Sequence, residues 1–144
     1  MLDTNIEIFD GMTLANVLKE IHTNSAKKRR QIDILIDELR PLVKTSSEAM
    51  VVVPLIKEYL EVGVKNDEQL VKMAQVVQRM ASTDKIAAAN GGSSILTDEE
   101  KKQLLDEVKN ATKESDAIMA ENDKKLKQLE EKTNEIKTEL ESNA

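Results

Sequence analysis

The chain has 144 residues, of which 40% are hydrophobic and 33% are charged, and its formal net charge is −6. A chain of this length favours one compact domain, or a small domain with an extended element. Four glycines and two prolines argue against an all-β fold rich in tight turns. With no cysteine and one histidine, the composition excludes a disulfide framework, a thiolate zinc site, a cysteine nucleophile and a multi-histidine metal centre.

Neither a secretory signal nor a membrane span is predicted. Residues 1–10 carry three acidic residues and no basic one, unlike the basic start of a signal peptide. The longest apolar runs, such as residues 49–53, are far shorter than the roughly 20 residues that a bilayer requires. The absence of cysteine fits a reducing compartment. We therefore expect a cytoplasmic protein without membrane contact.

Apolar residues at helical spacing predict helices along almost the whole chain. An N-terminal arm over residues 1–11 is expected to precede a short first helix. A second helix is expected to start near Ser25 and to end before Pro41, because proline disfavours helical backbone at the residue before it. The first turns of this second helix carry four consecutive cations, which are Lys27, Lys28, Arg29 and Arg30.

Two further helices are expected to form an antiparallel hairpin over residues 46–81. The first begins at a capping-box pattern, Thr45-Ser46-Ser47-Glu48, and Gly63 is interpreted as its C-terminal stop. A second cap pattern at residues 66–69 is interpreted as the start of the next helix. Together with the preceding helices, the hairpin makes a predicted helical core of residues 12–83.

Residues 84–96 are predicted to be a flexible linker, because the stretch NGGSS at positions 90–94 has linker composition. A second capping box, Thr97-Asp98-Glu99-Glu100, follows, and no glycine or proline occurs after it. Residues 97–144 are therefore predicted to be a long acidic amphipathic helix. The predicted fold class is all-α, with a small helical core followed by a long coiled-coil-like C-terminal helix.

This C-terminal helix is too polar to be stable alone, so we expect it to pair with another helix or with copies of itself. Polar residues interrupt its apolar seam, and an eleven-residue step from Ser115 to Leu126 predicts a local unwinding. Asn122 either sets the register of a coiled coil or is a solvated polar position. The residues predicted to mediate oligomerisation are Leu104, Val108, Ile118, Asn122, Leu126, Leu129, Ile136 and Leu140.

The basic segment 25–44 has six basic residues against three acidic ones in an otherwise acidic chain. Its cations at positions 27–30 could supply about two or three phosphate contacts, which predicts salt-dependent binding of DNA or RNA without sequence specificity. The alternatives are a solvated helix start, a patch that docks the chain's own acidic tail, and a patch that binds an acidic protein partner. Phe9 and Tyr59 are the only aromatic residues, which argues against stacking on single-stranded bases.

Catalysis is not expected. Adjacent carboxylates split across helix faces or lie at helix starts, and no apolar pocket pattern surrounds them. His22 is interpreted as a residue that caps the first helix or is partly buried near its C-terminus. We predict a non-enzymatic protein with no catalytic residue, no metal and no cofactor.

These features predict a scaffold or adaptor that self-associates through helical faces and bridges larger protein partners. The alternative is an oligomeric nucleic-acid-binding accessory factor that uses the basic helix of residues 25–44 on phosphates. In outline, a basic run at 27–30, a hairpin at 46–81 and a tail from residue 97 resemble the small terminase subunits of tailed phages. That resemblance, which is architectural only, implies a DNA-binding helical part, a ring-forming hairpin and a tail that contacts a packaging motor.

Overall fold

The computed structural model describes residues 5–89 and 97–143, with the side chains of residues 83–89 excepted. Over this range the all-α class predicted from the sequence is confirmed. Two short strands precede three long helices, and a short 3-10 helix, Arg40–Leu42, lies between the first two helices. The elements are β1 (Glu7–Phe9), β2 (Met12–Thr13), α1 (Leu14–Leu39), α2 (Ser46–Ala89) and α3 (Asp98–Ser142).

The predicted N-terminal arm is a small β-hairpin over its described residues. β1 and β2 pair antiparallel, with Phe9 opposite Met12 and an irregularity in the register between Glu7 and Phe9. Gly11 in the turn has φ +79°, a left-handed conformation that favours glycine, and its N–H donates to Glu7 Oε1 at 2.8 Å. Ile8 is buried in an apolar cluster, so the arm is docked on the helices.

A break between the first two predicted helices does not occur, because α1 runs without interruption from Leu14 to Leu39. Ser25 was expected to lie at a helix start, but it is buried in the middle of α1. Its carbonyl oxygen and its Oγ both accept hydrogen bonds from Asn66 Nδ2, at 3.0 and 3.1 Å. α1 ends immediately before the Arg40–Leu42 turn that contains Pro41, as the sequence predicted.

The predicted hairpin over residues 46–81 is wrong, because α2 is a continuous helix through Gly63 and the supposed cap at 66–69. The polar residues of that supposed cap are buried inside the helix. Asn66 bonds to Ser25, and Gln69 Oε1 accepts a hydrogen bond from Ser115 Oγ at 2.8 Å. α2 also includes residues 84–89 of the predicted linker, whose remaining residues, 90–96, lie outside the described range.

Both predicted capping boxes are formed. At the start of α2, Glu48 N–H donates to Thr45 Oγ1 at 3.3 Å and Thr45 N–H donates to Glu48 Oε2 at 3.1 Å. At the start of α3, the corresponding distances for Thr97 and Glu100 are 3.1 and 2.7 Å. Each pair satisfies two backbone donors that a helix start leaves without intrahelical partners.

The chain divides into two compact units. Unit 1 comprises residues 1–23 and 68–117, and unit 2 comprises residues 24–67 and 118–144. Parts of all three helices contribute to each unit. The core of unit 1 contains Ile8, Leu14, Val17, Ile21, Met73, Met80 and Val108, and the core of unit 2 contains Ile32, Ile36, Leu39, Val52, Leu55, Tyr59, Val62, Leu126 and Leu129.

Candidate interaction surface

The oligomerisation residues predicted on α3 lie against helices of the same chain. Leu104 and Val108 pack in the core of unit 1. Leu126, Leu129, Ile136 and Leu140 pack in or against the core of unit 2. Asn122 is buried, and Ile118 is half-buried. Of the two pairings that the sequence left open for α3, the structure therefore shows pairing with other helices of its own chain.

Ion pairs between α3 and its neighbours follow the same arrangement in unit 2. Lys137 Nζ lies 3.3 Å from Glu38 Oε2 on α1, and Lys65 Nζ lies 3.4 Å from Glu121 Oε1 on α3. Glu58 on α2 is 3.7 Å from both Lys125 and Lys132. These pairs are largely solvent-exposed, so each contributes little to stability. Together they pair many of the charged side chains where these helices meet.

Two buried polar side chains of unit 2 form a hydrogen-bonded pair. Tyr59 Oη and Thr133 Oγ1 are 2.9 Å apart, and Thr133 Oγ1 donates to the Leu129 carbonyl at 2.8 Å. Since the Thr133 proton is used in that second bond, the Tyr59 hydroxyl is the donor to Thr133. Burial raises the pKa of the Tyr59 phenol, and the negative charges of Glu130 and Glu38 add to the rise.

Asn122, proposed from the sequence as a register residue, is 2% exposed, and its Nδ2 group has no acceptor among the described residues. A buried donor without a partner costs about 1–3 kcal/mol. Around it lies a surface recess between α2 and α3 of unit 2, lined mainly by charged side chains that include Glu58, Lys65 and Lys125. In the described part of the chain, no group of three or more Asp, Glu or His side chains could hold a metal ion.

The four consecutive cations of α1 do not form one free patch. Lys28 pairs with Asp123 of α3, and its side chain is only 17% exposed. Arg29 Nη1 lies 3.6 Å from Asp67 Oδ1 on α2. Lys27 and Arg30 are exposed and form no ion pair with a described residue. The unpaired positive charge of this run is therefore two residues rather than four.

Lys27 and Arg30 flank a shallow recess on the outer face of α1. The recess also includes Gln31, Ile34 and Leu35. Ile34 is 52% exposed and lies one turn after Arg30. The surface that the sequence marked as a phosphate-binding segment is thus a mixed surface, with two cations followed by an apolar residue.

α2 has apolar residues on two opposite faces within unit 2. Its inner face supplies Val52, Leu55, Tyr59 and Val62 to the core. Its outer face presents four apolar residues that are 54–79% exposed, which are Met50, Val53, Leu60 and Val64. Lys57 lies between Val53 and Leu60 on the same face. We call these five residues the outer row: Met50, Val53, Lys57, Leu60 and Val64.

Steps of three and four residues separate successive members of the outer row, which is the spacing that keeps one face of a helix against a second helix. Lys57 forms an exposed pair at 3.9 Å with Glu61, one turn further along α2.

Helices were predicted in this region from the sequence, but the outer row was not. The signal was present in Met50-Val51-Val52-Val53, since four consecutive apolar residues extend around a helix and cannot share one face.

No protein family matches the chain, and no curated protein or solved structure matches it. The resemblance to small terminase subunits loses its ring-forming element, because the hairpin at 46–81 is a single helix. None of the helices in the described residues combines the length and apolar character needed to cross a lipid bilayer.

Proposed function

We propose that the protein is a non-enzymatic scaffold or adaptor that self-associates through a helical face and bridges larger protein partners. The observation that carries this proposal is the outer row of α2. Its four apolar members are 54–79% exposed and follow one another along a single face of the helix. Contiguous exposed apolar surface with polar residues around it is characteristic of protein interaction sites.

The arrangement of the patch supports a helical partner. An exposed apolar residue on its own needs no explanation, but four residues at helical spacing form a continuous contact line along α2. The chain's own inner face of α2 is already complete, since Val52, Leu55, Tyr59 and Val62 are almost fully buried. The outer row is therefore additional to what folding of unit 2 requires.

Self-association supports the bridging role because it duplicates every other surface of the chain. A pair of copies carries two recesses formed by Lys27, Arg30 and Ile34, and each is available to a further protein. An exposed apolar residue beside two unpaired cations fits a partner segment with acidic residues next to an apolar one.

Nucleic-acid binding has less support than protein assembly. Lys28 and Arg29 would have to leave Asp123 and Asp67 before they could contact phosphate. While these two ion pairs persist, Lys27 and Arg30 are the cations of the run that can contact phosphate. Two phosphate contacts give weak binding that salt readily disrupts.

Sedimentation velocity from low-micromolar to several hundred micromolar protein tests the proposal. We expect the average mass of the wild-type chain to rise with concentration, and Val53→Glu to shift the rise to higher concentration. Ile34→Glu is the matched control, because it places the same charge at an apolar residue of nearly equal exposure on α1. A wild-type chain that stays monomeric throughout would refute self-association.

A further inference from the structure

We propose that the outer row of α2 is the interface of a homodimer in which the α2 helices of two copies pack antiparallel. This inference rests on the proposed self-association and assigns it to one surface and one geometry. The two-fold axis crosses the pair at the level between Glu58 and Tyr59. A two-fold interface uses the same patch on both copies, so the row must be complementary to itself.

The spacing of the outer row is complementary to itself in this orientation. With the axis between residues 58 and 59, Val53 lies level with Val64 of the second copy, and Val64 lies level with Val53. Lys57 lies level with Leu60 of the second copy in the same way. Apolar side chains therefore meet on both sides of the axis, as knobs and holes do in paired helices.

The charges of the row select the antiparallel orientation. Lys57 and Glu61 are 77% and 62% exposed, and their mutual distance of 3.9 Å is at the limit of an ion pair. In the antiparallel register, Lys57 lies within one residue of the level of Glu61 in the second copy, so two reciprocal ion pairs form across the axis. A parallel pair in register would instead place Lys57 beside Lys57, and such like-charge contact is unfavourable.

Gly63 beside the row allows a second helix to approach closely. A glycine inside a helix costs about 0.5–1 kcal/mol relative to alanine. A Cβ atom at Gly63 would have no atom within 4 Å, so packing within the chain does not account for the glycine. A missing side chain at this position leaves the space that the side chains of a second α2 helix would occupy.

The exposed area predicts the strength of the dimer. The row offers four exposed apolar residues per copy, whereas each partner of a stable complex buries about 20–30 residues, or about 800 Å². We therefore expect a reversible dimer that forms in the micromolar range rather than an obligate one.

Cysteine pairing tests the orientation directly, because the chain has no native cysteine. We expect Val53→Cys and Val64→Cys chains to form a disulfide-linked dimer when they are mixed and oxidised. Neither chain should link to itself, since eleven residues of helix, about 16 Å, separate equivalent positions in the antiparallel pair. Self-linking of Val53→Cys would establish a parallel pair and overturn the proposal, and so would the absence of any link in all three samples.

Charge reversal tests the ion pairs. Lys57→Glu and Glu61→Lys should each weaken dimerisation by roughly ten-fold, because each replaces two attractive contacts with two repulsive ones. The double variant should return to within about two-fold of the wild-type affinity, since it restores both reciprocal pairs with opposite signs. A double variant as weak as the single variants would contradict the register. Far-ultraviolet circular dichroism of each variant checks that the helices are intact.

Failure of this inference is distinguishable from failure of the proposed function. If the wild-type chain never associates, both are wrong. If it associates but Val53→Glu and Ile34→Glu behave alike, and the cysteine pair does not link, self-association stands and only its assignment to the outer row is wrong.

Discussion

The hydrogen bond between Tyr59 and Thr133 gives a sharp test of the packing in unit 2. Both residues are buried, at 0% and 2% exposure, and their oxygens are 2.9 Å apart. Tyr59→Phe removes one buried hydrogen bond but leaves Thr133 bonded to the Leu129 carbonyl, so the expected loss is about 1 kcal/mol. Thr133→Val keeps the side-chain shape but leaves the Tyr59 hydroxyl buried without an acceptor, so the expected loss is about 1–3 kcal/mol.

The double variant should be less destabilised than the two single losses together. Tyr59→Phe with Thr133→Val removes both polar groups, and an apolar pair of the same shape can be nearly neutral. The coupling free energy expected from a double-mutant cycle is about 1 kcal/mol, which corresponds to a Tm difference of about 3 °C for a chain of this size.

Urea unfolding followed by circular dichroism measures these free energies, and Tyr59 fluorescence is a second probe in the variants that retain it, since the chain has one tyrosine and no tryptophan. The reasoning would be refuted if Thr133→Val were no more destabilising than Tyr59→Phe and the two losses were additive. Thr133→Ser is a useful control, because serine retains the hydroxyl group and lacks the methyl group.

Four further outcomes follow from the structure. Gly63→Ala should raise the free energy of unfolding by about 0.5–1 kcal/mol, and a destabilised variant in urea unfolding would show that an alanine does not fit there. Asn122→Leu should stabilise the chain by about 1 kcal/mol by removing a buried donor without an acceptor, which a lower Tm than wild type would contradict. Because the pKa of Tyr59 is raised, the unfolded chain binds fewer protons than the folded chain above pH 10, so the free energy of unfolding should fall as pH rises there. Urea titrations at successive pH values should show that Tyr59→Phe lacks this part of the decline. Binding to a random DNA duplex, followed by fluorescence anisotropy, should have a salt slope no steeper than about −2 and should disappear with Lys27→Ala and Arg30→Ala; a slope near −4 would show that all four cations bind phosphate.

Helix starts and one helix end could be predicted from the sequence because their causes are local. The Thr45 and Thr97 capping boxes each act within four residues, and Pro41 acts on the residue before it. The predicted breaks at Ser25 and Gly63 were wrong because polar residues near them are satisfied by partners far along the chain. Ser25 and Asn66 are 41 residues apart, and nothing in the local pattern of either one indicates the other.

The candidate surface was predictable only in part. The 27–30 run was recognised as basic, but its neutralisation by Asp67 and Asp123 depends on the packing of α1 against α2 and α3. The apolar seam of α3 was recognised as a pairing face, but a periodic pattern does not say whether the same chain or a second copy covers it. The outer row on α2 can be distinguished from the inner face only when the residues of that helix that lie in the core are known, and this depends on packing.

The participation of all three helices in both units has a consequence for fragments of this protein. No stretch confined to one or two of the helices contains a complete core, because each unit includes parts of all three. Removal of residues 97–144 would leave Tyr59 and Met73 without their α3 neighbours and would expose apolar surface that is buried in the intact chain. Such a truncated chain would be expected to aggregate, so studies of assembly are better served by single substitutions in the full chain than by deletions.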